Sequence, residues 1–163
     1  MTIQRLVTNI LSDRLPESRD FYADLLGLRI VHDSDWYVQL AAPDNARLEL
    51  GIIRRDHDLV PASWQAAPAG MYLTFVVDSV DAVHARAVGR GLPIVQPPRN
   101  EFYGQRRLLV LAPDGCLVDV SSPWRGVTSL PAGSAGSVRP LHRPQTDRAP
   151  GEHEVVDGFI GRH

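Results

Sequence analysis

The segment Leu40-Ala41-Ala42-Pro43-Asp44-Asn45-Ala46-Arg47-Leu48-Glu49-Leu50 returns later as Leu111-Ala112-Pro113-Asp114-Gly115-Cys116-Leu117-Val118-Asp119-Val120. Pro43 and Pro113 stand 70 residues apart, and so do Glu49 and Asp119. A second pair repeats as well: Gly27-Leu28-Arg29-Ile30-Val31 has its counterpart in Gly91-Leu92-Pro93-Ile94-Val95. A chain that duplicates both an internal joint and a terminal hairpin is built from two like modules. Glu49 and Asp119 then hold equivalent places, and a two-fold-related pair of carboxylates marks a candidate site.

The local pattern gives each module the same order of elements. In the first, Leu6, Thr8 and Ile10 alternate with Val7, Asn9 and Leu11, which predicts a strand over Arg5 to Leu11. Ser12 and Asp13 supply cap-type residues, and Pro16-Glu17 suits a first helical turn. Phe21, Leu25 and Leu26 continue at helical spacing until Gly27 closes the helix. Strands are predicted over Leu28 to His32, Trp36 to Ala41 and Arg47 to Ile53, with the turn-forming Pro43-Asp44-Asn45 between the last two.

Residues 54–69, with Pro61, Pro68 and clustered alanines, read as a connecting loop. The second module follows as a strand over Met71 to Val77, a helix capped by Ser79 from about Val80 to Arg90, and Gly91. The strand from Gly91 to Val95 then gives way to the Pro-rich stretch Gln96 to Asn100, expected as a loop, and strands follow over Arg106 to Leu111 and Cys116 to Ser121. The expected layout is a first βαβββ module over residues 1–53, a linker over 54–69, a second module over 70–122 and a tail over 123–163. The tail shifts to Gly, Pro, Ser, Arg and His, lacks apolar area to offset ordering entropy, and is expected to be largely irregular, with Val155 to Ile160 the part fit to dock.

Composition narrows the function. At 163 residues and 44% hydrophobic content the chain can bury one ordinary core. Its formal charge of −2, with basic residues scattered along the chain, does not support a nucleic-acid partner. No apolar run reaches the length of a membrane span, the N-terminal residues lack signal-peptide design, and Cys116 is the only cysteine, so a cytoplasmic protein is expected. All 17 basic residues are arginine, which excludes Schiff-base chemistry through a lysine of this chain.

Two motifs carry a family resemblance: Ser12-Asp13-Arg14-Leu15-Pro16-Glu17-Ser18-Arg19-Asp20-Phe21-Tyr22-Ala23-Asp24-Leu25-Leu26-Gly27 at the entry and Pro113-Asp114-Gly115-Cys116-Leu117-Val118-Asp119 at the exit. With the repeat, they resemble the glyoxalase/bleomycin-resistance/extradiol-dioxygenase superfamily, also called vicinal oxygen chelate (VOC) proteins, over about residues 3 to 122. The resemblance implies an α+β fold of tandem βαβββ modules forming an open, barrel-like curved mixed sheet around a ligand cavity, with helices outside. Alternation would then aim Glu49, Arg47 and Gly51 inward with Asp119, Leu117 and Ser121, and likewise Val7, Asn9 and Leu11 with Tyr72, Thr74 and Val76. Leu6, Ile10, Leu48, Leu50, Leu73, Phe75, Val77, Val118 and Val120 would pack beneath the helices.

In metal-dependent members of the family the four ligand positions, typically His or Gln, Glu, His and Glu, fall here on Val7, Glu49, Tyr72 and Asp119. Valine has no donor and a neutral tyrosine is a poor ligand, so zinc or iron is disfavoured and no metal ligand is assigned. Magnesium or manganese could still use Glu49, Asp119, Asn9 and waters. Without a metal, the two carboxylates are either strand-end residues paired with Arg47 or Arg106, holders of a cationic ligand group, or a general base whose pKa is raised by burial and mutual repulsion.

Trp36, Tyr37, Trp64, Phe102 and Tyr103 fall in segments bordering the cavity, where rings can stack a planar ligand. Strand alternation admits only one of Trp36 and Tyr37 inward. Asp56-His57-Asp58 sets an imidazole between two acids, a solvated loop cluster or a proton-transfer group. The ligand-facing set expected is Asn9, Trp36, Tyr37, Trp64, Tyr72, Thr74, Tyr103 and Arg106, with Glu49 and Asp119 as the chemical pair. The expected function is sequestration of an aromatic or amphipathic compound by a bleomycin-resistance-like homodimer, an antibiotic-resistance type of small-molecule binding without cofactor. The alternative is an isomerase or lyase of the same fold, working through Glu49 and Asp119.

Overall fold

A computed structural model describes residues 2–124. The expectations for the rest of the tail, including Val155 to Ile160, lie outside the described residues. In chain order the elements are β1 (Thr8–Ser12), α1 (Leu15–Leu26), β2 (Arg29–Asp33), β3 (Tyr37–Ala42) and β4 (Asn45–Arg54), then β5 (Tyr72–Val76), α2 (Val80–Gly89), β6 (Ile94–Asn100), β7 (Gln105–Leu111) and β8 (Leu117–Pro123). They form two four-stranded mixed sheets ordered β1-β4-β3-β2 and β5-β8-β7-β6, each with its helix outside. The α+β reading as two βαβββ modules is what the structure has, and the sheets do not close into a barrel.

Within each module the first strand runs parallel to the last, with Thr8 opposite Leu50 in one and Thr74 opposite Asp119 in the other. A parallel pair needs a crossover, and the helix supplies it while covering one sheet face. The core lies under those helices: Phe21, Tyr22 and Leu25 of α1 with Val80, Val83 and Ala87 of α2 pack on Ile10, Val38, Leu40, Leu50, Ile52, Leu108, Val110, Val118 and Val120. Leu73, Phe75 and Val77 pack partly against it. Leu6 and Leu48, expected there, are 81% and 61% exposed. The reason is backbone pairing: β1 starts only at Thr8, so the arm before it is not held in the sheet.

The helix ends follow the repeated joint. Ser79 caps α2, its Oγ accepting the Ala82 N–H at 3.2 Å, whereas the cap position of α1 is Arg14, without a side-chain cap, and Ser12 Oγ instead accepts the Arg14 N–H at 2.9 Å in the turn ahead of the helix. Gly27 and Gly91 sit in the left-handed region at φ +71° and +63°, where a Cβ is unfavourable. Gln96 to Asn100, expected as a loop, belongs to β6 instead. β6 is the edge of its sheet and its register shifts between Ile94 and Gln96 and again between Gln96 and Arg99, so Pro97 and Pro98 need donate nothing to a neighbour. Strand β3 begins at Tyr37, leaving Trp36 in the bend ahead of it.

The echoed turns are alike in spelling and different in chemistry. In the second copy Asp114, buried, accepts the Cys116 N–H at 2.7 Å, and Gly115 takes φ +89°. In the first copy the same Asx turn is made one residue later, by Asn45 Oδ1 accepting the Arg47 N–H at 3.1 Å. Asp114→Ala is therefore expected to cost about 1–3 kcal/mol, by leaving a buried N–H unpaired, whereas Asp44→Ala costs less than about 0.5 kcal/mol. Urea denaturation of the two variants checks the contrast.

Candidate functional site

With the helices covering one face of each sheet, side chains of the opposite parity project from the other. On the first sheet these are Asn9 of β1, Tyr37 and Gln39 of β3, and Glu49 and Gly51 of β4. The pairing sets Asn9, Gly51 and Gln39 in one row across three strands. A Cβ on Gly51 would stand 2.0 Å from Asn9 Oδ1 and 3.1 Å from Tyr37 Cε2, so this glycine makes room for the amide and the ring.

Glu49 is held from two sides. Arg5, on the arm before β1, engages both carboxylate oxygens through Nε and Nη2, and Gln39 Nε2 donates to Oε1 at 2.7 Å. The Arg5 hydrogen bonds hold the Glu49 pKa below the usual carboxylate value, against a smaller opposing effect of burial. The expectation of a base raised by mutual repulsion is not met at Glu49, because a guanidinium supplies the counter-charge.

The second sheet has the corresponding pair built from different parts. Arg107 Nε stands 3.0 Å from Asp119 Oδ1 as an ion pair off the line of a hydrogen bond, and the Thr74 hydroxyl donates to Asp119 Oδ2 at 3.2 Å. The same guanidinium lies over the Tyr72 ring, 5.7 Å from its centroid. Register places Arg107 opposite Ser121 and Leu109 opposite Asp119, so these four share a face. Arg106 points the other way and binds Asp81 of α2 with Nε and Nη2 and Asn100 with Nη1. The guanidinium of this face is thus Arg107, and neither Arg47 nor Arg106 pairs with the acids.

The aromatic residues gather only in part. Trp36 stacks on His57 at 4.4 Å and 17°, with Tyr37 5.5 Å from Trp36 and His32 6.0 Å from Tyr37. Because Trp36 precedes the strand, alternation does not separate it from Tyr37. Trp64, in a short 3-10 turn of the linker, is exposed, and Tyr103 meets Phe102 edge-on in the turn before β7. A mainly apolar cleft of about 510 Å³ lies along the open edge of β5, walled by Leu26, Leu28, Leu48, Leu73 and Phe75, with Glu49 and Thr74 the predicted site residues that reach it. That volume falls in the range of small-molecule sites.

A transition metal does not fit these residues. Val7 has no donor, Tyr72 faces a guanidinium, and each carboxylate already has an arginine as its ion-pair partner. Among the described residues no three His, Cys, Asp or Glu side chains come together as a metal would need. No helix among them is long and apolar enough to cross a membrane.

The family model for the glyoxalase/bleomycin resistance protein/dioxygenase superfamily matches residues 3–120. The chain belongs to this superfamily. Similar solved structures include a superfamily member from Sphaerobacter thermophilus (19% identity, 75% of this chain and 98% of that one, TM-score 0.60). A glyoxalase/bleomycin resistance protein/dioxygenase from Nocardioides is 20% identical over 85% and 93%, with TM-score 0.57. A lactoylglutathione lyase from Agrobacterium tumefaciens is 20% identical over 75% and 96%, with TM-score 0.58. At these identities the superfamily likeness carries the fold and leaves activity open. No curated protein matches the sequence.

Sequence reasoning missed Arg5, Gln39 and Arg107. Gln39 and Arg107 were within reach, since each shares a sheet face with its acid once the hairpin register is drawn. Arg5 was not, because its arm lies outside the sheet.

Two outcomes follow from this geometry. Gly51→Ala is expected to destabilise by about 1–3 kcal/mol through overpacking, and Asn9→Ala in the same chain to recover part of it, read by chemical denaturation. Arg5→Ala is expected to bring the Glu49 pKa up towards 4.5, read by carboxyl carbon NMR titration. Since the folded value lies below the unfolded one, the pair's contribution is present above about pH 4.5 and fades as pH falls through the folded value. The native protein should therefore lose more stability than Arg5→Ala across that window.

Proposed function

We propose that this protein binds and sequesters an aromatic or amphipathic small molecule, in the manner of the bleomycin-resistance branch of its superfamily, and that it does so as a homodimer. The observation that carries the reading is that each acid of the duplicated pair is neutralised by an arginine of its own module. Glu49, held below its usual pKa by the Arg5 guanidinium, is a poor proton acceptor, and a carboxylate already ion-paired is a poor metal ligand. What the surroundings offer a ligand is apolar and aromatic surface with hydrogen-bonding groups at fixed places, the make-up of a binding site.

The dimer is supported by what the open sheet edges leave uncovered. Ile3, Leu6 and Leu48 beside β1, and Met71, Tyr72 and Val76 along β5, are all exposed, and both strands lack a neighbour on one side. Exposed apolar side chains beside unpaired edges are what a second copy would cover.

Thermal-shift measurement with a panel of aromatic antibiotics and other planar amphiphiles is expected to raise the melting temperature for at least one class. Flat curves across the panel, together with a stoichiometric metal retained on purification and lost in Glu49→Gln or Asp119→Asn, would favour an isomerase or lyase instead. Light scattering behind size exclusion is expected to give twice the chain mass.

A further inference from the structure

Arg106 and Arg107 are adjacent in β7 and face opposite sides, and their surroundings differ in a telling way. All three guanidinium nitrogens of Arg106 are hydrogen-bonded, Nε and Nη2 to Asp81 at 3.0 and 2.7 Å and Nη1 to Asn100 at 2.9 Å. An arginine used to tie a strand to a helix looks like that. Arg107 makes one ion-pair contact, through Nε to Asp119 Oδ1, two atoms that are buried without a well-aligned hydrogen bond, and this contact leaves its terminal nitrogens uncommitted. The side chain is 21% exposed, and its Nε, not its terminal nitrogens, is the unmatched atom shut off from solvent, so the terminal edge remains reachable by a ligand.

A second observation lies directly across the ladder. Ser121, opposite Arg107, is 1% exposed, and its hydroxyl also lacks a partner. Buried polar groups are ordinarily satisfied, so an unmatched buried hydroxyl across the ladder from an arginine with uncommitted terminal donors points to an absent acceptor. The rings around them suggest what the acceptor is attached to. Tyr72 lies under the guanidinium and is 53% exposed, and Tyr103, in the turn that leads into β7, is 52% exposed.

We propose that the Arg107 face of the second module binds the oxyanion group, carboxylate or phosphate, of an aromatic ligand. Asp119 fixes the Nε side of the guanidinium, so that the terminal nitrogens present two parallel donors to a planar oxyanion. The Ser121 hydroxyl, opposite Arg107 in the ladder, is a reserve donor on the same face, and the ligand ring packs on the exposed tyrosines. Asp119 is then a positioning residue, since it acts through Arg107. This inference deepens the sequestration reading and rests on it, and it selects anionic over cationic members of the ligand class.

The test uses the full chain and four probes of one size: benzoate, phenyl phosphate, benzyl alcohol and benzylamine, with affinities read by ligand-detected NMR titration. Benzoate or phenyl phosphate is expected to bind more tightly than benzyl alcohol, and whichever leads identifies the oxyanion. Arg107→Gln should weaken the anionic probes about tenfold and leave benzyl alcohol unchanged, which is what loss of a charge-assisted hydrogen bond predicts. Arg107→Lys, which keeps the charge and loses the fork, should fall between, and Arg106→Gln should change none of them. Anion affinity unchanged in folded Arg107→Gln, or benzylamine as the tightest probe, overturns the assignment while leaving aromatic binding intact. Failure of all four probes to bind overturns it together with the reading beneath it.

Discussion

Each module owns one helix and a sheet with two faces, so its own chain can cover only one of them. Everything else in the molecule follows from that shortage. The covered face takes the apolar residues of β1, β3, β4, β5, β7 and β8 and becomes the core. The uncovered face has no helix to pack against, and it carries acids, amides, a hydroxyl and arginines instead. Parallel pairing of first and last strands adds a second shortage, since it leaves β1 and β5 as edges with one neighbour each. The cleft along β5 and the exposed arm before β1 both lie where those two shortages meet.

Much of this was legible before any coordinates. The duplicated Gly27 and Gly91 joints ended helices as read, because a positive φ after a helix is a local demand that glycine answers whatever surrounds it. The order of elements in both modules was legible for the same reason, through periodicity and turn chemistry within a few residues. What escaped depended on neighbours far along the chain. The prolines of β6 looked like a loop, and whether a proline suits a strand depends on whether that strand has a partner on its N–H side. Leu6 and Leu48 looked like core, and their exposure depends on where a parallel pairing begins. Trp36 looked like a strand residue because the strand boundary, one residue later, is set by pairing with Ile53.

The site was legible as to its acids and not as to their partners. Glu49 and Asp119 were found by the repeat and stand at matching places in their modules. The sequence offered Arg47 and Arg106 as counter-charges, being near in the chain, whereas Arg5 lies 44 residues from its acid and Arg107 was hidden behind its neighbour. Two consecutive arginines in a strand necessarily face opposite ways. The register of one hairpin therefore decides which of them meets Asp119 and which ties the sheet to α2.

The two arginine–carboxylate pairs argue against reading the duplication as preserved chemistry. A repeat under common functional demand would keep the partner as well as the acid. Here one acid is clamped by both oxygens from an arm outside the sheet, and the other is touched through a single nitrogen from an adjacent strand with a threonine on its far oxygen. The first arrangement commits two nitrogens of its arginine to the acid, while the second commits only one. Equivalent positions in the fold have thus become unlike in what they can bind. The difference lies in the arginines, which the repeat does not copy, and not in the acids, which it does.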